Sequence, residues 1–272
     1  MQCDSCESGG EAPARKRDAG LHALGARRIL DMRVDASNYA RAVQAILEMA
    51  ETGGGTTCVA TVHMVMEAHD DPALQRIVNA ADLVTSDGMP LVWALRARGL
   101  RDAERVYGPD LVPAVCAAAA ARRVPIALYG GSPDVIGELS RRLALRFSGL
   151  RIAFASSPPY RALTPEEDTA VVEAIRESGA RILFVGLGCP KQERWMAAHR
   201  ERLPCAMVGV GAAFDFLAGA KRQAPRWVRR AGLEWLFRLA CEPRRLWRRY
   251  VWHNPRFVWL ALRESLGAGR EA

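Results

Sequence analysis

From Leu30 onward the sequence alternates short runs rich in β-branched residues with longer stretches of helical periodicity, and this constrains the fold more than any other feature. Such alternation predicts an α/β fold, a Rossmann-like parallel sheet with helices on both faces. The predicted strands are Thr57 to Val62, Leu83 to Thr85, Ile126 to Tyr129, Ile152 to Ala155, Ile182 to Val185 and Met207 to Val210. Predicted helices cover Tyr39 to Met49, a segment holding Val65, Met66 and His69, Pro90 to Arg98, Leu111 to Arg122, and a segment ending at about Arg146. Thr164 with Glu167 forms a capping box that starts another helix at Pro165, and one more runs through Trp195.

After Lys221 the pattern changes to short helices broken by prolines at 225, 243 and 255, with five of the seven tryptophans. The chain thus divides into an N-terminal tail over 1–27, expected to be disordered, an α/β domain over 28–220 and a C-terminal helical basic appendage over 221–272. The net charge of +8 follows that division. Residues 1–220 hold 25 Lys and Arg against 26 Asp and Glu, whereas 221–272 hold 13 against 4. A block this basic faces an anion, whether nucleic acid, acidic lipid or a diphosphate.

Seven cysteines scattered through apolar stretches point to reduced thiols in the cytoplasm. Cys3 and Cys6 form a CxxC without a second pair to complete a zinc site, and the first 25 residues lack the apolar core of a signal peptide. Runs such as Leu111 to Ala121 are too short to span a bilayer, so the chain is expected to be soluble or to lie on a membrane.

Open α/β sheets collect ligands outside the carboxyl ends of their strands, which selects Thr61, His63, Asp87, Gly130, Gly188, Gln192 and Asp215. Asp87 has two readings, an Asp-Gly turn or helix cap, and a carboxylate free to take a proton from a hydroxyl. The turns at Gly130-Gly131-Ser132 and Gly186-Leu187-Gly188 are equally plain reversals or backbone cradles for phosphate, and neither has dinucleotide or P-loop spacing. Cys189 lacks a histidine partner and reads as structural. The histidines at 22, 63, 69, 199 and 253 show no metal-ligand spacing, and His63 is singled out only by its place at a strand end, where a satisfied structural histidine is the favoured reading. No Asp-x-Asp occurs, so any bound diphosphate must be neutralised by the protein's own cations.

On a helical wheel Arg244, Arg245, Arg248 and Arg249 share one side, and Leu246, Trp247, Tyr250 and Val251 the other. This pattern suits a membrane interface, a surface helix with solvated arginines, or arginines closing on a diphosphate. The α/β alternation alone also admits a nucleotide-binding oxidoreductase, and the basic tail a nucleic-acid-binding protein. The first lacks its fingerprint and the second any recognised motif.

Five segments together resemble one family: ADLVTSDG (81–88), ERVYGPDL (104–111), ILFVGLGCPKQERW (182–195), VGVGAAFDFLAG (208–219) and APRWVRRAGLEWLFRLACEPRRLWRRY (224–250). They are similar to the WecG/TagA/CpsF glycosyltransferases, glycosyltransferase family 26, over roughly Ile29 to Tyr250. The resemblance implies inverting transfer of a sugar from a UDP-sugar donor to an undecaprenyl-diphosphate-linked saccharide. It implies no cofactor and no required metal, no nucleic-acid partner, and a cytoplasmic protein peripheral on the inner face of the plasma membrane. Donors of the family are N-acetylmannosamine, its uronic acid or glucuronic acid types. It further implies Asp87 as base, with Thr61, Arg105 and Gln192 in the pocket beside His63, Gly130 and Gly188. Arg238, Arg245 and Arg248 would reach the diphosphate, leaving Arg244, Trp247, Arg249 and Tyr250 to the membrane. Many relatives carry Asn at the position of His63, which bears on the identity of the sugar.

Overall fold

The computed structural model describes residues 25–268. Eight strands and twelve helices follow one another in that span. A hairpin of β1 (Ala26–Ile29) and β2 (Met32–Asp35) precedes six parallel strands, β3 (Gly55–Ala60), β4 (Leu83–Ser86), β5 (Ile126–Gly130), β6 (Ile152–Ser156), β7 (Ile182–Gly186) and β8 (Ala206–Gly209). Their order across the sheet is β4-β3-β8-β7-β5-β6. Every residue of β3, β4, β5 and β8 is buried, as expected of parallel strands covered on both faces.

Helices α1 (Tyr39–Glu51), α5 (Gly108–Ala121), α6 (Pro133–Arg146) and α9 (Ala213–Ala218) share one apolar core with Leu128, Phe184 and Val208 of the sheet. The opposite core gathers α2 (Val62–Asp70), α3 (Pro72–Ala80), α4 (Met89–Ala97), α7 (Pro165–Glu177) and α8 (Lys191–His199) around Tyr129, Val185 and Met207. Two short helices, α10 (Arg226–Arg230) and α11 (Glu234–Cys241), lead into α12 (Pro243–Ala268), whose Phe257 is buried in that second core.

The predicted fold class is the one observed, and the strand ends agree to within one residue except at β3, where both differ by two. That strand stops at Ala60 because Thr61 caps α2, its hydroxyl accepting from Met64 N at 3.4 Å. The predicted strand therefore runs two residues too far, onto the cap and the first residue of a helix. Helix α3 was absent from the sequence reading although Asp71 caps it and Pro72 opens it. The hairpin was also missed, because its two-residue turn uses Leu30 at φ 49° and Asp31 at φ 63° in place of an Asn-Gly signal.

That hairpin covers an edge of the sheet. Asp35 accepts from Val84 N of β4 at 2.8 Å, and Arg33 pairs with Asp35 while donating to the carbonyls of Ala81 and Asp82. Of the expected tail, residues 1–24 lie outside the described residues, while Ala26 and Arg27 open β1. Prolines 225 and 243 mark helix starts as expected, but Pro255 lies inside the 26-residue α12. Pro255 and Val251, whose carbonyl loses its partner, both lie on the exposed side of α12, where water can replace the bond. No helix among the described residues is long and apolar enough to cross a membrane.

Candidate functional site

Strand β4 ends at Ser86 and leaves Asp87 at the carboxyl edge of the sheet, its N–H bonded to Ala60 O at 2.8 Å. Gly88, not Asp87, is the N-cap of α4, so the carboxylate does not cap the helix that follows it, although the Gly108 N–H at the start of α5 donates to it. It points instead into a cavity of about 370 Å³ shared with Thr61, His63, Arg105, Glu234 and Arg238. The appendage closes this cavity from above through Gly232 to Trp235, Tyr250, His253 and Phe257.

One guanidinium organises the charges. Arg105 Nη2 donates to Asp87 Oδ1 at 3.0 Å and to Glu234 Oε2 at 2.6 Å, and its Nε donates to the Asp87 carbonyl. Its plane stacks over the Tyr107 ring at 4.4 Å. Burial pushes the Asp87 carboxyl up, Arg105 pulls it down and the Glu234 charge pushes it up again, for a balance of about 6. Burial works against the Arg105 charge, yet the two carboxylates outweigh it and hold the group above its ordinary value. Asp87 therefore changes charge close to neutrality, which suits a group that must accept a proton and release it.

The appendage arginines separate. Arg238 lines the cavity, lies 5.5 Å from the centre of the Phe216 ring, and has a buried Nε without a hydrogen-bond partner among the described residues. Arg248 does not join it. It lies exposed on the far side of α12 against Trp247, with its guanidinium 5.6 Å from the ring centre. The side chains of Arg245 and Arg249 lie outside the described residues. Arg244 is exposed.

The wheel's apolar side divides as well. Leu246 is buried and Tyr250 turns inward to the cavity beside Trp235, whereas Trp247 and Val251, with Trp252, Trp259 and Leu262 beyond the wheel, face out. Tyr250 thus belongs to the cavity and not to the outer surface. The reason is that α12 has apolar residues on both sides, so a single wheel over eight residues could not find the boundary.

A second, wider cleft of about 670 Å³ opens at the ends of β5, β7 and β8. Gly131, Ser132, Gly186, Gly188 and Gly211 line it with Lys191, Asp215 and Lys221. Asp215 accepts from Lys221 Nζ at 2.8 Å. Gly130 lies behind this cleft: at φ 126°, a Cβ there would come within 2.5 Å of Gly186 C, so its role is the close approach of β5 and β7.

Gln192 is also set back. It is buried, accepts from Gly188 N at 3.2 Å and donates to Glu193 Oε1 at 2.8 Å, bracing the glycine turn without lining either cavity. The expected single pocket is thus two clefts: Thr61, His63, Asp87, Arg105 and Arg238 meet in one, and Gly188 lines the other. Glu234 was missed although it is one of four acids in the last 52 residues, a signal that an acid in so basic a stretch has a partner.

The sequence matches one known group of proteins. Residues 27–271 match the model of the Glycosyl transferase WecG/TagA/CpsF family, and the chain belongs to that family of glycosyltransferases, glycosyltransferase family 26, whose role is cell-surface polysaccharide synthesis.

Proposed function

We propose that this chain moves a sugar from a UDP-sugar, of N-acetylmannosamine, N-acetylmannosaminuronic acid or glucuronic acid type, to an undecaprenyl-diphosphate-linked saccharide, with inversion. The observation that carries the reading is the Asp87 carboxyl, balanced at about 6 by Arg105 and Glu234 in a cavity closed by the appendage. The glycine-lined cleft with Lys191 and Lys221 suits the nucleotide end of the donor, because backbone N–H groups and lysines complement phosphate. The smaller cavity suits the meeting of acceptor hydroxyl and anomeric carbon. Asp87 removes the hydroxyl proton as the oxygen attacks from the face opposite the nucleotide, and the bond to the diphosphate breaks in the same displacement, which inverts the centre.

Arg238 neutralises the departing diphosphate in the role a metal fills in Asp-x-Asp enzymes, a part that the family resemblance also gives to Arg245. The proposal keeps Thr61 and His63 at the sugar and gives Gln192 an indirect part, through the Gly188 turn. Arg248, on the outer side of α12, moves from the donor to the lipid surface with Arg244 and Arg249. There the exposed tryptophans of α12 sink to headgroup depth and the arginines meet anionic lipid on the inner face of the plasma membrane.

A panel of UDP-sugars assayed for UDP release with a short-chain lipid-diphosphate saccharide tests the reaction. One donor turning over without added Mg²⁺ or Mn²⁺ is the expected result, and the Asp87→Asn variant lowers that turnover by about 10² to 10⁴. Near-normal turnover of the variant removes Asp87 as the base, and dependence on either metal removes the arginine role.

A further inference from the structure

The histidines are far apart in sequence, and folding brings two of them to one carboxylate. His63 and Glu67 stand one turn apart on the same face of α2, with Nδ1 and Oε1 separated by 3.6 Å. His253 of α12 reaches the same oxygen from the other side, Nε2 to Oε1 at 3.7 Å. The two imidazole rings meet edge-on with centroids 5.3 Å apart. One ligand atom from each residue can be chosen so that all three lie within 4.8 Å of one another, and no other group of three or more such residues among the described ones does so.

We infer that His63, Glu67 and His253 form a binding site for a divalent transition-metal ion of the zinc type, which fastens the C-terminal helix to the α/β core. A tetrahedral zinc ion with bonds of about 2.0–2.2 Å sets its ligand atoms about 3.3–3.5 Å apart. Both contacts to Glu67 are within a few tenths of an ångström of that, a displacement that ordinary side-chain rotation supplies. Two imidazoles and one carboxylate select a zinc-type ion over Mg²⁺ or Ca²⁺, which require mostly oxygen ligands.

The frame around the site is already fixed. Arg256, one turn beyond His253, grips Asp70 at the end of α2 through two bonds of 2.6 Å, and Arg98 holds Glu264 at 2.6 Å further along α12. These pairs set the register of α12 against the core, so the three ligands are positioned before an ion arrives. His63 and His253 also line the Asp87 cavity, which gives an ion's remaining coordination positions access to small molecules there. The site is distinct from the diphosphate neutralisation proposed for Arg238.

The test uses the full chain carrying Cys3→Ser and Cys6→Ser, which silences the CxxC, stripped of metal and titrated with Zn²⁺ by calorimetry. One Zn²⁺ per chain is expected, with affinity at least tenfold weaker in each of His253→Ala and Glu67→Gln. Glu67→Gln keeps the shape of the side chain, so its effect stands even where the histidine variant loosens α12, and circular dichroism checks both folds. Zn²⁺ should also slow tryptic cleavage between 243 and 268, and EDTA should reverse the protection. Failure of the doubly substituted chain to bind Zn²⁺ stoichiometrically, or binding unchanged by both site variants, overturns the assignment.

Discussion

Asp87 should make the protein less stable than it could be, and by an amount that depends on pH in a calculable way. Its folded value of about 6 exceeds the ordinary 3.8, so between those pH values the native state binds a proton that the unfolded chain has released. Stability therefore falls as pH rises through that window, at up to 1.36 kcal/mol per pH unit for one such group, and levels off above pH 6. The full loss is about 3 kcal/mol, and about 2 kcal/mol of it falls between pH 4.5 and pH 8. The carboxylate is 15% exposed, so water relieves part of the cost and about 2 kcal/mol is the upper figure for that interval.

The Asp87→Asn variant has no such titration, and Arg105 keeps its bond to Glu234. Urea unfolding of both proteins at pH 4.5 and pH 8 isolates the effect, since any constant difference between amide and carboxylate cancels in the comparison. The variant should gain on the wild type by about 2 kcal/mol on going from the lower pH to the higher, with equal m-values. A gap that does not change with pH, or one that grows in favour of the wild type at pH 8, refutes the account of Asp87 as a buried charge held near its midpoint.

Three further outcomes follow from the same geometry. Removing the second carboxylate on Arg105 by Glu234→Gln lowers the Asp87 value, so the acid limb of the kcat/KM profile should move toward acid by roughly one pH unit; an unmoved limb separates Glu234 from Asp87. Gly130→Ala places a Cβ 2.5 Å from Gly186 C at φ 126° and should cost about 3 kcal/mol or more in thermal or chemical unfolding, whereas a loss below about 1 kcal/mol contradicts the close approach of β5 and β7. Replacing Trp247, Trp252 and Trp259 together by Ser should reduce sedimentation with anionic vesicles at least tenfold while circular dichroism is unchanged; unchanged sedimentation removes the outer face of α12 from membrane docking.

Much of the fold was legible because its signals are local. Strands buried on both faces read as apolar runs, and capping residues such as Thr164 declare helix starts from a few positions. Misreadings arose where two local signals compete, as at Thr61-Val62, where β-branched residues suggest a strand and the threonine hydroxyl caps a helix. The placement of Asp87 and Thr61 at strand ends followed from the general rule for open sheets. The pairings did not. Glu234 meets Arg105 across 129 positions, and His253 meets Glu67 from another helix altogether, contacts that tertiary packing sets. Arg248 shows the converse, since its motif position was readable but the direction of its side chain depended on which side of α12 the core occupies.

Helix α12 uses both of its sides, the inner one for the Asp87 cavity through Tyr250 and His253 and the outer one for its exposed tryptophans. If the placement of α12 differs between the filled and the empty pocket, two ligands on its opposite sides are thermodynamically linked: whatever factor a lipid surface adds to donor affinity, the donor must add to affinity for that surface. With a coupling factor above one, and with the membrane docking proposed above, such a chain would hold its donor more tightly on the bilayer than off it.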